Sequence, residues 1–218
     1  MNVRTTIVFS SLALIYLATL PLTPYVAQFL PKALPIVVLA VFAYTKLSAM
    51  PRYMVLTALL FSLAGDVSLA LPFADSFITG LACFFVAHLT YAMCFALLHR
   101  RLVETPGDHI ISRKPKWFIS IIMVSFAVMM AVHILPASKA LFYPVVAYIS
   151  VITLMGLTAV WLAQTKLIVT GALLFVISDA ILAQSLFKTP FPLSTFWVMT
   201  TYYGAQYCLT MGLVDGFL

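Results

Sequence analysis

Apolar residues run through this chain in long unbroken stretches. They show neither the alternation of a half-buried strand nor the one-sided stripe of a soluble helix. Windows of this kind fall near residues 6–26, 33–47, 53–71, 78–98, 117–135, 142–164, 167–187 and 195–213. A helix crosses a bilayer with about 20 apolar residues, whereas membrane β-strands alternate. The pattern therefore predicts an all-α polytopic transmembrane bundle of eight spans. The longest connection is HRRLVETPGDHIISRKPK, residues 99–116. The second window is the short one: thirteen residues separate Lys32 from Lys46, about 20 Å of helix. It crosses only with lysine snorkelling or local bilayer thinning; otherwise seven spans remain.

Two windows are interrupted by a carboxylate. Residues 59–71 read LLFSLAGDVSLAL, with Asp66, and residues 173–184 read LLFVISDAILAQ, with Asp179. ALLFSLAGDVSLAL lies over ALLFV-ISDAILAQ with one gap, and FFVAHLTYA (84–92) over FWVMTTYYG (196–204), which sets Tyr91 over Tyr203. The spacing predicts a hairpin of spans three and four repeated as spans seven and eight, hence a 4 + 4 tandem repeat that brings both aspartates to one central cavity.

Composition narrows the class. The chain has 218 residues, 64% hydrophobic and 8% charged, far from the quarter charged of soluble domains, and no polar segment is long enough to build a soluble catalytic domain. The net charge of +6 invites a nucleic-acid reading, but its distribution argues for a topology signal instead. With eight spans, Arg4, Lys46, Arg52, Arg100, Arg101, Arg113, Lys114, Lys116 and Lys166 share one side, and Lys32, Lys139 and Lys188 the other. The positive-inside rule then places both termini in the cytoplasm. Residues 1–218 read as a single transmembrane domain, with half-repeats 1–98 and 117–218 joined by the basic loop 99–116. The expected location is a multi-pass integral protein of a bacterial-type inner membrane. Arg4 followed by IVFSSLALIYLATL resembles a signal sequence, but Tyr25 spoils the cleavage pattern before Ala27, so it reads as an uncleaved span. Cys83, Cys94 and Cys208 lie inside spans without metal-type spacing and read as small buried residues.

A carboxylate near the bilayer centre costs about 2.5–3.5 kcal/mol, so two of them point to a function facing a cavity. Other polar groups share their helices: His88 and Tyr91 lie three apart on span four, Tyr203 and Gln206 three apart on span eight, Ser62 one turn before Asp66, and Ser178 beside Asp179. Gly65 permits close approach of another helix or of substrate. No Gly-x-Ser-x-Gly, His-Glu-x-x-His or phosphate-cradling glycine loop occurs. A metal held by Asp66, Asp179 and His88 is a minor alternative. Two carboxyls supported by His, Tyr and Gln suit general acid–base catalysis.

As a set, PKALPI (31–36), LLFSLAGDVSLAL, FFVAHLTYAMCF (84–95), ALLFVISDAILA and WVMTTYYGAQYCL (197–209) resemble the YhhN-type lysoplasmalogenase family. The family's Lys-Pro-Leu-Pro near span two reads Lys32-Ala33-Leu34-Pro35 here. The resemblance implies a membrane hydrolase of the vinyl ether bond of lysoplasmalogens, with a lysophospholipid drawn from the bilayer as substrate and a fatty aldehyde plus glycerophosphocholine or glycerophosphoethanolamine as products. Asp66 and Asp179 fall at its intramembrane acidic positions, and His88, Tyr203 and Gln206 at its other polar positions. The implied chemistry needs no cofactor and no metal, and nucleic acid has no part in it.

On this reading Asp66 and Asp179 form the catalytic pair. His88, Tyr91, Tyr203, Gln206, Lys32, Ser62 and Ser178 are expected to bind substrate, with Lys32 on the phosphate. A hydrogen bond from Ser178 would hold Asp179 ionised, which favours Asp66 as the acid. The rivals are a proton-coupled transporter and a hydrolase of another lipid bond. The first is disfavoured because spans three, four, seven and eight lack proline and the twelve prolines fall near loops or first turns.

Overall fold

The computed structural model describes residues 3–25, 27–104, 113–163 and 165–218 and is all-helical. The α-helices are α1 (Val3–Thr19), α2 (Phe29–Lys46), α3 (Ala49–Ala70), α4 (Ser76–Glu104), α5 (Arg113–Ser138), α6 (Phe142–Thr158), α7 (Lys166–Phe187) and α8 (Ser194–Phe217). A 3₁₀ turn extends α1 over Leu20–Leu22, another joins α5 to α6, and a π-helical segment, Ala159–Ala163, ends α6. Six segments are long and apolar enough to cross a membrane, one of them the 49-residue stretch Pro115–Ala163 that contains α5 and α6. Their outer faces are hydrocarbon: Ile121, Val128, Met129 and Val132 of α5 are all more than half exposed. A continuous apolar face of this kind belongs in lipid, where helices keep their backbone hydrogen bonds internal. The protein is a multi-pass integral membrane protein.

Three expectations change. Helix α4 continues to Glu104, so Arg100 and Arg101 extend a helix rather than begin a loop; residues 105–112 of the expected basic connection lie outside the described residues. Helix α2 begins at Phe29 and has 18 residues, about 27 Å at 1.5 Å per residue. Lys32 is therefore in the first turn of the helix rather than just before it. Pro35 and Pro136 lie inside α2 and α5. Pro35 lacks the N–H that would bond the carbonyl four residues back, which loosens α2 beside Lys32.

Helix α8 is the hub. It packs on α7, α2, α4, α1 and α3, and most of its residues from Met199 to Val214 are buried. It is not one of those six segments, for a physical reason: a helix walled by other helices meets little lipid and can carry Tyr202, Tyr203, Gln206 and Thr210 inward. The most extensive packing is within two hairpins, α3 on α4 and α7 on α8. Gly65 of α3 lies under the Phe84 ring of α4. At Gly171 of α7 an added Cβ would stand 2.9 Å from the Leu209 backbone N and 3.0 Å from the Ala205 carbonyl oxygen of α8. Neither backbone atom can swing aside. Gly171→Leu is expected to destabilise the protein by about 1–3 kcal/mol through overpacking, read as a lower unfolding midpoint in detergent. Gly204→Ala, whose Cβ would meet only Leu174 Cδ1 at 3.2 Å, should change the midpoint little; equal effects from the two would contradict the packing.

Candidate active site

The hub and its neighbours surround a chamber of about 190 Å³. Six helices reach it: α1 with Tyr16, α2 with Lys32, α3 with Asp66, α4 with Phe84, α7 with Ser178 and Asp179, and α8 with Tyr202. All these positions lie toward the end of the bundle where α3 and α7 finish and α4 and α8 begin. Edge-to-face contacts among Phe84, Phe175 and Tyr202, with centroids 5.5–6.3 Å apart, pack the rings below it, the geometry aromatic groups prefer.

The two carboxyls have different partners. Lys32 Nζ stands 3.2 Å from Asp66 Oδ1 and donates to the Asp66 backbone carbonyl at 3.2 Å. Both side chains are almost enclosed, 12% and 4% exposed, so the pair is poorly screened. Asp179 Oδ2 accepts from the Tyr148 hydroxyl at 2.5 Å and lies 3.2 Å from His88 Nε2. His88 Nε2 is also 3.1 Å from the Tyr148 oxygen, which closes a triangle of α4, α6 and α7 side chains. The only lysine or arginine among the described residues lining the chamber is Lys32. Asp66 Oδ2 and the Tyr202 hydroxyl are buried next to each other, and neither makes a hydrogen bond of good geometry among the described residues. Buried polar atoms of this kind usually have a water or ligand to satisfy them, and a 190 Å³ chamber admits several waters or a small polar fragment. No three His, Cys, Asp or Glu side chains gather closely enough to hold a metal ion among the described residues.

The structure thus brings together Asp66, Asp179, Lys32, Ser178 and His88 and separates the rest. Tyr91 donates to Gln206 Oε1 at 2.6 Å; both are fully buried and form an α4–α8 strut away from the chamber lining. Tyr203 donates to the Lys32 carbonyl at 2.8 Å, so it holds α2 in place behind the lysine. Ser62 is buried and reaches neither cavity partner nor hydrogen bond. Ser178 donates to the Val198 carbonyl at 3.0 Å and not to Asp179, which removes the reason for naming Asp66 the acid. Sequence reasoning missed Tyr148, Tyr202 and Tyr16. Tyr202 sits beside the chosen Tyr203, and one residue along a helix is a different face. Tyr148 is the one tyrosine in the inner part of α6, and its place inside a span was the available signal.

The fold and the site together define an integral membrane protein with a partly open cavity lined by two carboxyls and a lysine. The YhhN family profile matches residues 27–213, and the chain belongs to that family. The human lysoplasmalogenase TMEM86B is 34% identical over 190 residues, 84% of this chain and 73% of its own length. The bovine lysoplasmalogenase TMEM86A is 29% identical over 171 residues, 74% of this chain and 65% of its own length. No solved structure matches.

Proposed function

We propose that this protein is a lysoplasmalogenase, hydrolysing the vinyl ether of a lysophospholipid by general acid–base catalysis in the chamber. One observation carries the reading: two carboxyls line one space with unequal partners, Asp66 on an ammonium and Asp179 on a phenol and an imidazole. Unequal carboxyls are the arrangement that cleaves the related acetal bond in glycosidases. Lys32 holds Asp66 through an ammonium contact. Asp179 is the acid, and its Oδ1, free of hydrogen bonds among the described residues, delivers the proton.

That proton goes to the β-carbon of R–CH=CH–O–R′, and the C=C electrons form the new C–H bond. The resulting oxocarbenium ion is stabilised by Asp66 across the chamber. Water adds at the carbon bearing oxygen and loses its proton to a carboxylate. The hemiacetal C–O bond then breaks, giving R–CH₂–CHO and HO–R′. Tyr148 and His88 fix the Asp179 carboxyl in one orientation. Tyr202 and Asp66 Oδ2 offer the water or a glycerol hydroxyl its partners.

The same reading includes eight crossings, with α5, α6 and α8 each spanning the bilayer, a repeat of α3–α4 as α7–α8, and cytoplasmic termini in a bacterial-type inner membrane as a single domain. The helices that carry the two aspartates, α3 and α7, and their partners α4 and α8 run without an internal proline break beside the chamber, which supports an enzyme over a carrier, although α2 carries Pro35 one turn from Lys32.

The test is aldehyde release from lysoplasmenylethanolamine by purified protein in detergent with EDTA present. Aldehyde and glycerophosphoethanolamine should appear in equal amounts, and a reaction in D₂O should place one deuterium on the aldehyde's second carbon. No release from a monodisperse sample overturns the proposal.

A further inference from the structure

Asp179 belongs to two cavities. Beside the polar chamber an apolar groove of about 80 Å³ runs between α4, α5, α6 and α7. The two spaces share Leu69, Phe84, Asp179 and Leu182. Apart from Asp179 and the Tyr148 hydroxyl bound to it, the one polar side chain on the groove wall is Thr153. Its hydroxyl donates to the Ile149 carbonyl of its own helix, so it presents no donor to the groove. The groove exists because α4 packs closely on α6 and its π-helical end, while the first half of α4 and the last half of α7 stay apart. Phe77 and Phe187 bridge that gap edge to face, with centroids 5.6 Å apart.

We infer that this partly open groove takes the stretch of the lipid's hydrocarbon chain next to the reacting bond, the rest of the chain continuing into the bilayer, with the double bond at Asp179 and the glycerophosphate part in the chamber beside Lys32. The inference rests on the reaction proposed for the chamber and adds the residues that set chain selectivity. Continuity names the occupant. A groove that offers only hydrocarbon, and that meets the polar chamber at the acid itself, fits a molecule that changes from apolar to polar at its reactive bond. Ala127 of α5 and Ala183 of α7 are the small residues on two of the walls, and each leaves space that a larger side chain would fill. Along α7, Ala183 is one turn beyond Asp179, about 6 Å at 1.5 Å per residue, so a chain leaving the acid passes it early.

The experiment uses the full chain in detergent and a saturated probe, 1-O-hexadecyl lysophosphatidylethanolamine, which has no vinyl bond to hydrolyse. Its binding is compared by calorimetry with that of the butyl analogue, whose chain ends before Ala183. Ala183→Phe and Ala127→Phe should each weaken hexadecyl binding relative to butyl by about tenfold or more, the scale of a hydrophobic pocket misfit. Ala183→Leu, a smaller intrusion and a safeguard against misfolding of the larger variants, should give an intermediate loss. Wild-type hexadecyl preference in all three, eluting as monodisperse protein, overturns the assignment. The two proposals fail separately. Hexadecyl binding that the variants abolish, with no aldehyde release by wild type, leaves the groove standing and removes the reaction. Vinyl ether turnover whose chain-length preference the variants do not alter removes the groove and leaves the reaction.

Discussion

Asp179→Asn is expected to lower aldehyde release by about 10³-fold, within the range a positioned general acid contributes. The amide keeps the size of the side chain and keeps an oxygen to accept from Tyr148, so α6 and α7 stay joined. What it loses is a proton it can give to carbon. No other chamber group replaces it: Lys32 and Asp66 are committed to each other, and the tyrosine, serine and threonine hydroxyls are poor acids. Asp66→Asn should also be inactive, for a different reason, since the cation then forms without a counter-charge and Lys32 is left unpaired in the chamber. The two variants should therefore separate on a second axis. Asp179→Asn should still bind the saturated ether lipid as wild type does, while Asp66→Asn should bind its head-group end differently because Lys32 is released. The measurement is single-turnover release of aldehyde alongside calorimetric binding. Turnover within tenfold of wild type in Asp179→Asn would remove it from the role of acid.

Much of this architecture was legible because the physics leaves few options. A chain this apolar can satisfy its backbone only as helices in lipid, and the helices fall on the expected windows. The aspartates stood out because charge in such windows is expensive, and both line one chamber. What was not legible is what lies across a helix interface. His88 and Tyr91 share a face, as their spacing requires, yet one meets Asp179 and the other meets Gln206. Periodicity gives the direction of a side chain and is silent about its partner. Tyr148 escaped for the same reason: one hydroxyl among several on α6 gains meaning only when Asp179 is set 2.5 Å away by the packing of α6 on α7. The groove was invisible too, since its apolar lining reads along the chain like any lipid-facing surface.

Lys32 is the residue whose meaning changed most, and its replacement carries the second large effect. As an interfacial lysine it would reach outward to head groups, and Lys32→Met would be close to neutral. The structure turns it inward instead, 12% exposed, onto a carboxylate that is 4% exposed, and fastens its backbone through the Tyr203 hydroxyl. Breaking a buried pair from one side leaves the other charge without compensation and costs about 3–5 kcal/mol, whereas replacing both partners by neutral groups costs far less. Lys32→Met should therefore lower the unfolding midpoint in detergent strongly and abolish turnover. Adding Asp66→Asn to it should recover most of the lost stability while the protein remains inactive. That pattern, a double variant more stable than the lysine variant alone, is the signature of direct coupling in a double-mutant cycle. A snorkelling lysine gives additive effects instead. The distinction matters for the chemistry as well. If the pair is coupled, Asp66 is held in one place by Lys32 while Asp179 is held by Tyr148 and His88, and the division of roles proposed for the two carboxyls follows from those different partners.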